Sequence, residues 1–254
     1  MVILIDAGNS RLKWAVNGKS DMQVNYLPYA GTPLQTVQQL IEGQSANIDS
    51  ICVVHVLGEE FEQGLVEFCN HRAISCRIFH SSAYCCGVSN AYQKPQKLGA
   101  DRFVALIAAH RLFSGQDIIV VDCGTAVTID ALDKTGMHLG GLILPGLQLS
   151  SNALINNTHL QASFINKEPE LFAKNTLDAV NSGSFYGLSG AIRHIYTLMN
   201  KKAFAHPAKM IICGGDSALV AENLMEDNGF SDKLEVIPEL VIKGLNIINE
   251  KQPG

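Results

Sequence analysis

Two strand-like runs end in the same short pattern, 116 residues apart. The first is "ILIDAGNSRLKWAV" at residues 3–16, and the second is "IIVVDCGTAVTIDAL" at residues 118–132. Asp6 falls on Asp122, Gly8 on Gly124, and Asn9 on Thr125. The spacing is close to half of a 254-residue chain, so the pattern predicts a duplicated fold with one such turn in each half. One turn alone has an ordinary reading: a hairpin whose Asp and Asn serve turn geometry. The symmetric pair reads as a clamp for nucleotide phosphates. The glycine permits positive φ and close approach of a ligand. The following amides and small polar side chains donate to phosphate oxygens. The carboxylate holds a cation, or a water that holds one.

The remaining periodicity repeats in the same order. Apolar runs at 2–6, 11–17 and 22–27 predict three strands, with Asn17-Gly18 as the hairpin signal between the second and third. Helical spacing follows at 33–41, a strand at "SICVVHV", a helix at 59–70 and a strand at "SCRIFH". Residues 81–100 read as loop, and "DRFVALIAAHRLF" as a helix with Asp101 in its first turn. The second half gives strands at "DIIVVD", "AVTIDAL" and "MHLGGLILPG", with a turn at Lys134-Thr135-Gly136. Helices are predicted at 146–156 and 176–200, a strand at "KMIICGGD", and helices at 216–226 and 238–249. The predicted organisation is α/β: two lobes, 1–114 and 115–254, each with a mixed sheet and flanking helices. Gly214-Gly215-Asp216 is a third glycine turn, ending a strand and preceding a helix; its glycines leave room for adenosine, and by itself it reads as an ordinary strand-to-helix turn.

Composition narrows the function. The formal charge is −5 and the pI is near 5.9, and no Lys/Arg run marks a nucleic-acid stripe. Nucleic acid is therefore not expected as a partner. No basic leader opens the chain, and Asp6 interrupts the first apolar run, which argues against a signal peptide. The longest stretch without charged residues, 135–166, holds several glycines and Pro145 and is no membrane span. Seven cysteines without a C-x-x-C pair read as reduced structural thiols of a cytoplasmic protein. Cys85 and Cys86 are adjacent. The eight histidines lack zinc-ligand spacing. Neither G-x-x-x-x-G-K-[ST] nor G-x-G-x-x-G occurs, which disfavours P-loop and Rossmann readings.

The duplicated three-strand lobe with phosphate turns resembles the superfamily of sugar and acetate kinases, chaperone ATPases and actin. More sharply, "DAGNSRLKW", "LGADRFVAL", "DCGTAVTID" and "HLGGLILPG" together resemble type III pantothenate kinase. The resemblance implies two ribonuclease H-like (actin-like ATPase) lobes, each built on a mixed five-stranded sheet. It implies a homodimer that phosphorylates pantothenate with ATP and Mg²⁺, assisted by K⁺ or NH₄⁺. By the same resemblance Asp6, Ala7, Gly8, Asn9, Ser10, Arg11, Leu12 and Lys13 form the first phosphate loop, with Asp6 near Mg²⁺. Asp101 matches the general base. Tyr92, Gly99, Ala100, Asp101, Arg102 and Thr176 match substrate contacts. Asp122 matches the monovalent-cation site and Thr125 an ATP contact. Ser10 stands where many relatives have threonine, and Lys13-Trp14 replaces aliphatic residues.

The chemistry of these residues has its own logic, and each has a plainer reading beside it. Arg102 offers a planar fork to a carboxylate or amide oxygen, or forms a surface ion pair. Asp101 can accept a hydroxyl proton, or simply favour a helix start through the macrodipole. Tyr92 packs on the core in its plain reading, Thr176 caps the following helix, and His138 faces solvent. Two rival functions stand beside the pantothenate kinase. One is a kinase of another small hydroxy or carboxylate acceptor in the superfamily. The other is a nucleotide-binding transcriptional accessory regulator.

Overall fold

The structure, a computed structural model, describes residues 1–17, 22–158, 168–226, 230 and 232–251. Contacts divide the chain into two compact units. The first is Met1–Ser114 with Gly136–His138 and the C-terminal segment from Glu239; the second is Gly115–Thr135 with Leu139–Pro238.

In the first unit, strands β1 (Val2–Ala7), β2 (Arg11–Val16), β3 (Asn25–Pro28), β4 (Ser50–His55) and β5 (Ser75–Ile78) form one sheet in the order β3-β2-β1-β4-β5. The first three pair antiparallel, while β1/β4 and β4/β5 are parallel. β1 is central and almost wholly buried, which is why it reads as an unbroken apolar run up to Asp6. Helices α1 (Pro33–Glu42) and α2 (Glu59–His71) supply Val37, Leu40, Phe61 and Leu65 to its core. Thr32 and Gln35 close a capping box at the start of α1.

The span expected to be loop holds a small hairpin, β6 (Tyr84–Cys85) and β7 (Val88–Ser89), and a single 3₁₀ turn at Pro95–Lys97. Helix α3 (Ala100–Leu112) follows, buried from Arg102 through Ala109. The last helix, α7 (Leu240–Lys251), packs on α3 and β1. A Cβ at Gly244 would sit 2.2 Å from the Val104 carbonyl oxygen, so the two helices meet at a glycine. The sequence expectation placed this helix with the second lobe; its packing is with the first.

The second unit repeats the topology. Strands β8 (Ile118–Cys123), β9 (Ala126–Leu132), β10 (His138–Pro145), β11 (Lys209–Cys213) and β12 (Leu234–Val236) stand in the order β10-β9-β8-β11-β12. β8/β9 is antiparallel, and β8/β11 and β11/β12 are parallel. Helices α4 (Leu147–Asn156), α5 (Thr176–Ala203) and α6 (Ser217–Met225) flank the sheet, and Phe185, Leu188, Ile192, Val220 and Leu224 enter its core. The expected Asn17-Gly18 turn and the end of the charge-poor stretch lie partly outside the described residues.

Candidate active site

Both Asp-x-Gly turns lie at the carboxyl end of the central strand of their sheets, where ligands bind in open α/β sheets. The turns are not identical. The β1–β2 loop has three residues, Gly8 to Ser10, and the Gly8 N–H donates to the Arg11 carbonyl at 3.2 Å. The β8–β9 loop has two, Gly124 and Thr125, and the Gly124 N–H donates to the Ala126 carbonyl at 3.2 Å. Asp6 therefore stands opposite Lys13, whereas Asp122 stands opposite Thr128.

The positive φ that glycine permits is not used here: neither Gly8 nor Gly124 adopts it. A Cβ at Gly8 would approach nothing nearer than 3.5 Å, and one at Gly124 nothing nearer than 3.4 Å. Among the described residues nothing demands glycine at either position. The remaining physical reason is room for something outside the chain, which suits a phosphate drawn close to the backbone.

The first turn carries its own electrostatics. Lys13 Nζ lies 3.7 Å from Asp6 Oδ2, and both side chains are nearly buried, at 12% and 10% exposure. Tyr29 donates from its hydroxyl to the Gly8 carbonyl at 2.5 Å. Burial, and then the charge of Asp6, push the Tyr29 phenol above its ordinary pKa, so it remains a donor. Ala7 and Leu12 point into the core, while Asn9, Ser10 and Arg11 are exposed at the tip. Any part Ala7 and Leu12 play toward a ligand is thus through the backbone. A Mg²⁺ at Asp6 would share that carboxylate with the Lys13 ammonium.

The second turn is braced on two sides. The Gly146 N–H donates to the Thr125 carbonyl at 3.0 Å, and a Cβ at Gly146 would lie 2.3 Å from the Gly124 oxygen. The Asp216 N–H donates to the Cys123 carbonyl at 3.0 Å. Gly214, at φ +94°, has no room for a Cβ: it would meet the Cys123 oxygen at 2.4 Å and Asp122 Oδ1 at 2.5 Å. The glycine turn at Gly214-Gly215-Asp216 is thereby placed beside Asp122. Burial, then the charges of Asp122 and Asp216, push the Cys123 thiol up, so its sulfur is a neutral core filler. Two neighbouring carboxylates and backbone oxygens are hard donors that suit a hard cation. Among the described residues no cluster of three or more His, Cys, Asp or Glu side chains is arranged to hold a metal ion.

The third group surrounds the start of α3. Gly99 is the N-cap, and Asp101 Oδ1 accepts from the Arg102 N–H at 2.8 Å. A Cβ at Gly99 would come within 2.6 Å of that oxygen, so the missing side chain lets the carboxylate fold back over the helix start. Arg102 is 7% exposed, which corrects the surface-ion-pair reading. Its Nη1 donates to the Tyr92 hydroxyl at 3.0 Å. Tyr92 stacks on His138, with centroids 6.1 Å apart and planes 19° off parallel. His138 is 1% exposed, not solvent-facing, and its Nδ1 accepts from the Ala91 N–H at 3.5 Å. The structure thus brings Tyr92, Gly99, Ala100, Asp101 and Arg102 together and adds His138. Only its position in "HLGG" hinted at His138.

Thr176 belongs to the second unit, exposed in the first turn of α5. It is not the cap. Asn175 is, its side chain accepting from the Asp178 N–H at 2.9 Å.

Similarity to known proteins decides the family. Residues 2–198 match the sequence profile of type III pantothenate kinase. The chain belongs to the type III pantothenate kinase family. A family member from Herminiimonas arsenicoxydans is 34% identical over 259 residues, covering 98% of this chain and 97% of that one. Another, from Nitrosococcus oceani, is 32% identical over 258 residues, covering 96% and 92%. Among solved structures, a Campylobacter jejuni protein assigned to the Baf family of transcriptional activators is 25% identical, with TM-score 0.58 and coverage of 99% and 98%. A Sinorhizobium meliloti protein assigned as a 2-dehydro-3-deoxygalactonokinase aligns over 100% of both chains with TM-score 0.65 at 12% identity. The last likeness speaks to fold alone, and the fold is that of actin-like ATPases and sugar kinases.

Proposed function

We propose that the protein transfers the γ-phosphate of ATP to the primary hydroxyl of pantothenate, giving 4′-phosphopantothenate and ADP, the first step of coenzyme A biosynthesis. The observation that carries this is the Asp101 carboxylate beside a buried Arg102, which donates to the half-buried Tyr92: a proton acceptor next to a cation suited to a small carboxylate substrate. Arg102 and Tyr92 hold pantothenate, with the Gly99-Ala100 backbone beside them and Thr176 as a further contact. Asp101 orients the hydroxyl and takes its proton as the O–P bond forms. Helix-start location keeps a carboxylate ionised, and such a weak base suffices because phosphoryl transfer is loose and positioning dominates.

The turn from Asp6 to Lys13 takes ATP phosphates, with Thr125 as an ATP contact across the second turn. Asp6 fits Mg²⁺ and Asp122 fits K⁺ or NH₄⁺; these ions offset phosphate charge, together with backbone amides and the Lys13 ammonium. Among the described residues no helix is long and apolar enough to cross a membrane; we place the enzyme in the cytoplasm. We read it as a homodimer. Leu144, Leu154, Gly183, Gly187 and Ala191 line one groove between β10, α4 and α5, Leu154 being 49% exposed. Gly183, Gly187 and Gly190 would leave a Cβ in open space, so another helix can approach closely. Sedimentation equilibrium checks this: a monomer at working concentration would end the dimer reading.

Transfer of labelled γ-phosphate from ATP to pantothenate, compared between the native chain and Asp101→Asn, tests the activity. The variant should keep nucleotide binding and lose roughly 10²-fold in kcat, the scale of general-base loss. The Campylobacter likeness raises a second reading, a nucleotide-binding regulator. Nucleotide binding without transfer to any acceptor would favour it.

A further inference from the structure

The β6–β7 hairpin carries a pair of thiols that the reaction above does not use. Its two-residue turn is Cys86-Gly87, with φ of +51° and +95°. Both signs are those of a type I′ turn, where Asn-Gly is the usual sequence. A cysteine in the left-handed region is strained, and such outliers gather at functional positions. The turn sets the Cys85 and Cys86 sulfurs 3.5 Å apart, the Cys85 thiol directed at Cys86 Sγ. Both residues are partly exposed and neither is in a disulfide.

The hairpin is also fixed to the loop that presents Tyr92. Asn90 donates from its backbone to the Ala83 carbonyl at 2.9 Å, and from Nδ2 to the carbonyls of Ser82 at 3.2 Å and Pro95 at 3.0 Å. Its Oδ1 accepts from the Tyr92 N–H at 3.0 Å. On the other side, Ser89 N–H donates to the Gly136 carbonyl at 2.9 Å, and a Cβ at Gly136 would lie 2.1 Å from the Gly87 oxygen.

We propose that Cys85 and Cys86 form a two-thiol binding site for monosubstituted trivalent arsenicals. Three observations select this chemistry. Adjacent Cα atoms are about 3.8 Å apart, below the roughly 4.4–6.8 Å of a relaxed disulfide, so a direct S–S bond is disfavoured. A single bridging atom fits better. With bonds of about 2.3 Å, the length of thiolate bonds to a soft ion, a 3.5 Å gap closes at about 100°, as at a pyramidal centre. A metal ion would need further ligands, and among the described residues none form such a set. An arsenical brings its own third substituent. Burial and the neighbouring Cys86 push the Cys85 thiol up to about 12, which slows thiolate exchange with disulfides but not condensation from the thiol. The step balances without redox change: R–As=O and two S–H groups give R–As(S)₂ and one water. Two As–S bonds form, the As=O bond is lost, and both protons leave on its oxygen.

Intact mass spectrometry of the full chain with equimolar phenylarsine oxide tests the site. The expected result is one adduct of the arsenical less one water, resistant to excess monothiol and removed by 2,3-dimercaptopropanol. Cys85→Ser and Cys86→Ser should each lose the resistance. Cys76→Ser, which breaks the other close thiol pair with Cys69, should keep it. Peptide mapping of the native adduct to residues 84–89 gives the same answer without relying on a variant's folding. A resistant adduct in Cys85→Ser or Cys86→Ser, its absence from the native chain, or its mapping elsewhere overturns the proposal. Given the kinase reading, the adduct also raises KM for pantothenate through Asn90. An adduct here with KM unmoved would keep the site and overturn that link.

Discussion

Two kinds of glycine surround the two Asp-x-Gly turns, and they make opposite predictions at the scale of single residues. Gly124 has room for a methyl group, so Gly124→Ala should change stability by no more than about 0.5 kcal/mol, as surface substitutions do. It should nevertheless raise KM for ATP, because the methyl occupies the phosphate's approach. Gly214→Ala meets backbone at 2.4 Å and a positive φ, and should lose about 2 kcal/mol or more of stability. Urea unfolding and ATP saturation curves check both. Gly124→Ala with native ATP kinetics would remove the ligand from that turn. Around Asp101 the positions were legible because motif and helix start coincide. His138 was not: it lies on a strand whose exposure does not alternate, so no period marks it as buried. Nor did the sequence show whether Asn175 or Thr176 caps α5, since both residue types serve.

Among the elements, the carboxyl end of β4 lies beside the first turn, where His55 pairs with Ala7 in the sheet register. His55 Nδ1 accepts from the Leu57 N–H at 3.3 Å, which leaves Nε2 to donate to Glu62 at 3.1 Å. His80 also reaches Glu62, at 3.3 Å. Burial lowers the His55 pKa, only partly opposed by Glu62. The unfolded chain therefore takes up this proton first, and stability falls as pH drops below about 6.5. Between about pH 7.5 and about pH 5.5 the native chain should lose more unfolding free energy than His55→Gln, which keeps donor and acceptor but does not titrate. Equal losses would contradict the neutral, buried ring. Most strands were legible because they are continuous apolar runs. β12 was missed because it is three half-buried residues at a sheet edge, and β6–β7 because cysteine replaces the usual hairpin residue. That α7 packs in the first unit was invisible, since sequence adjacency favours the lobe just completed.

At the scale of the whole molecule, the repeated strand order gives each half an Asp-x-Gly turn at the carboxyl end of its central strand, but the halves have diverged. The first turn holds a lysine against its aspartate, while the second has Asp122 near Asp216. The proposed monovalent cation therefore belongs at Asp122 rather than Asp6. Rates should be high in K⁺ or NH₄⁺ and weak in Na⁺ alone, and Asp122→Ala should abolish the difference. Equal rates in all three salts would move the cation elsewhere or remove it. The acceptor is tested most directly by ADP release from ATP across a panel of pantothenate, sugars and acetate. Turnover is expected with pantothenate and only background with the others. Turnover with a sugar or acetate in its place, or none with any acceptor despite bound ATP, would contradict the proposed function.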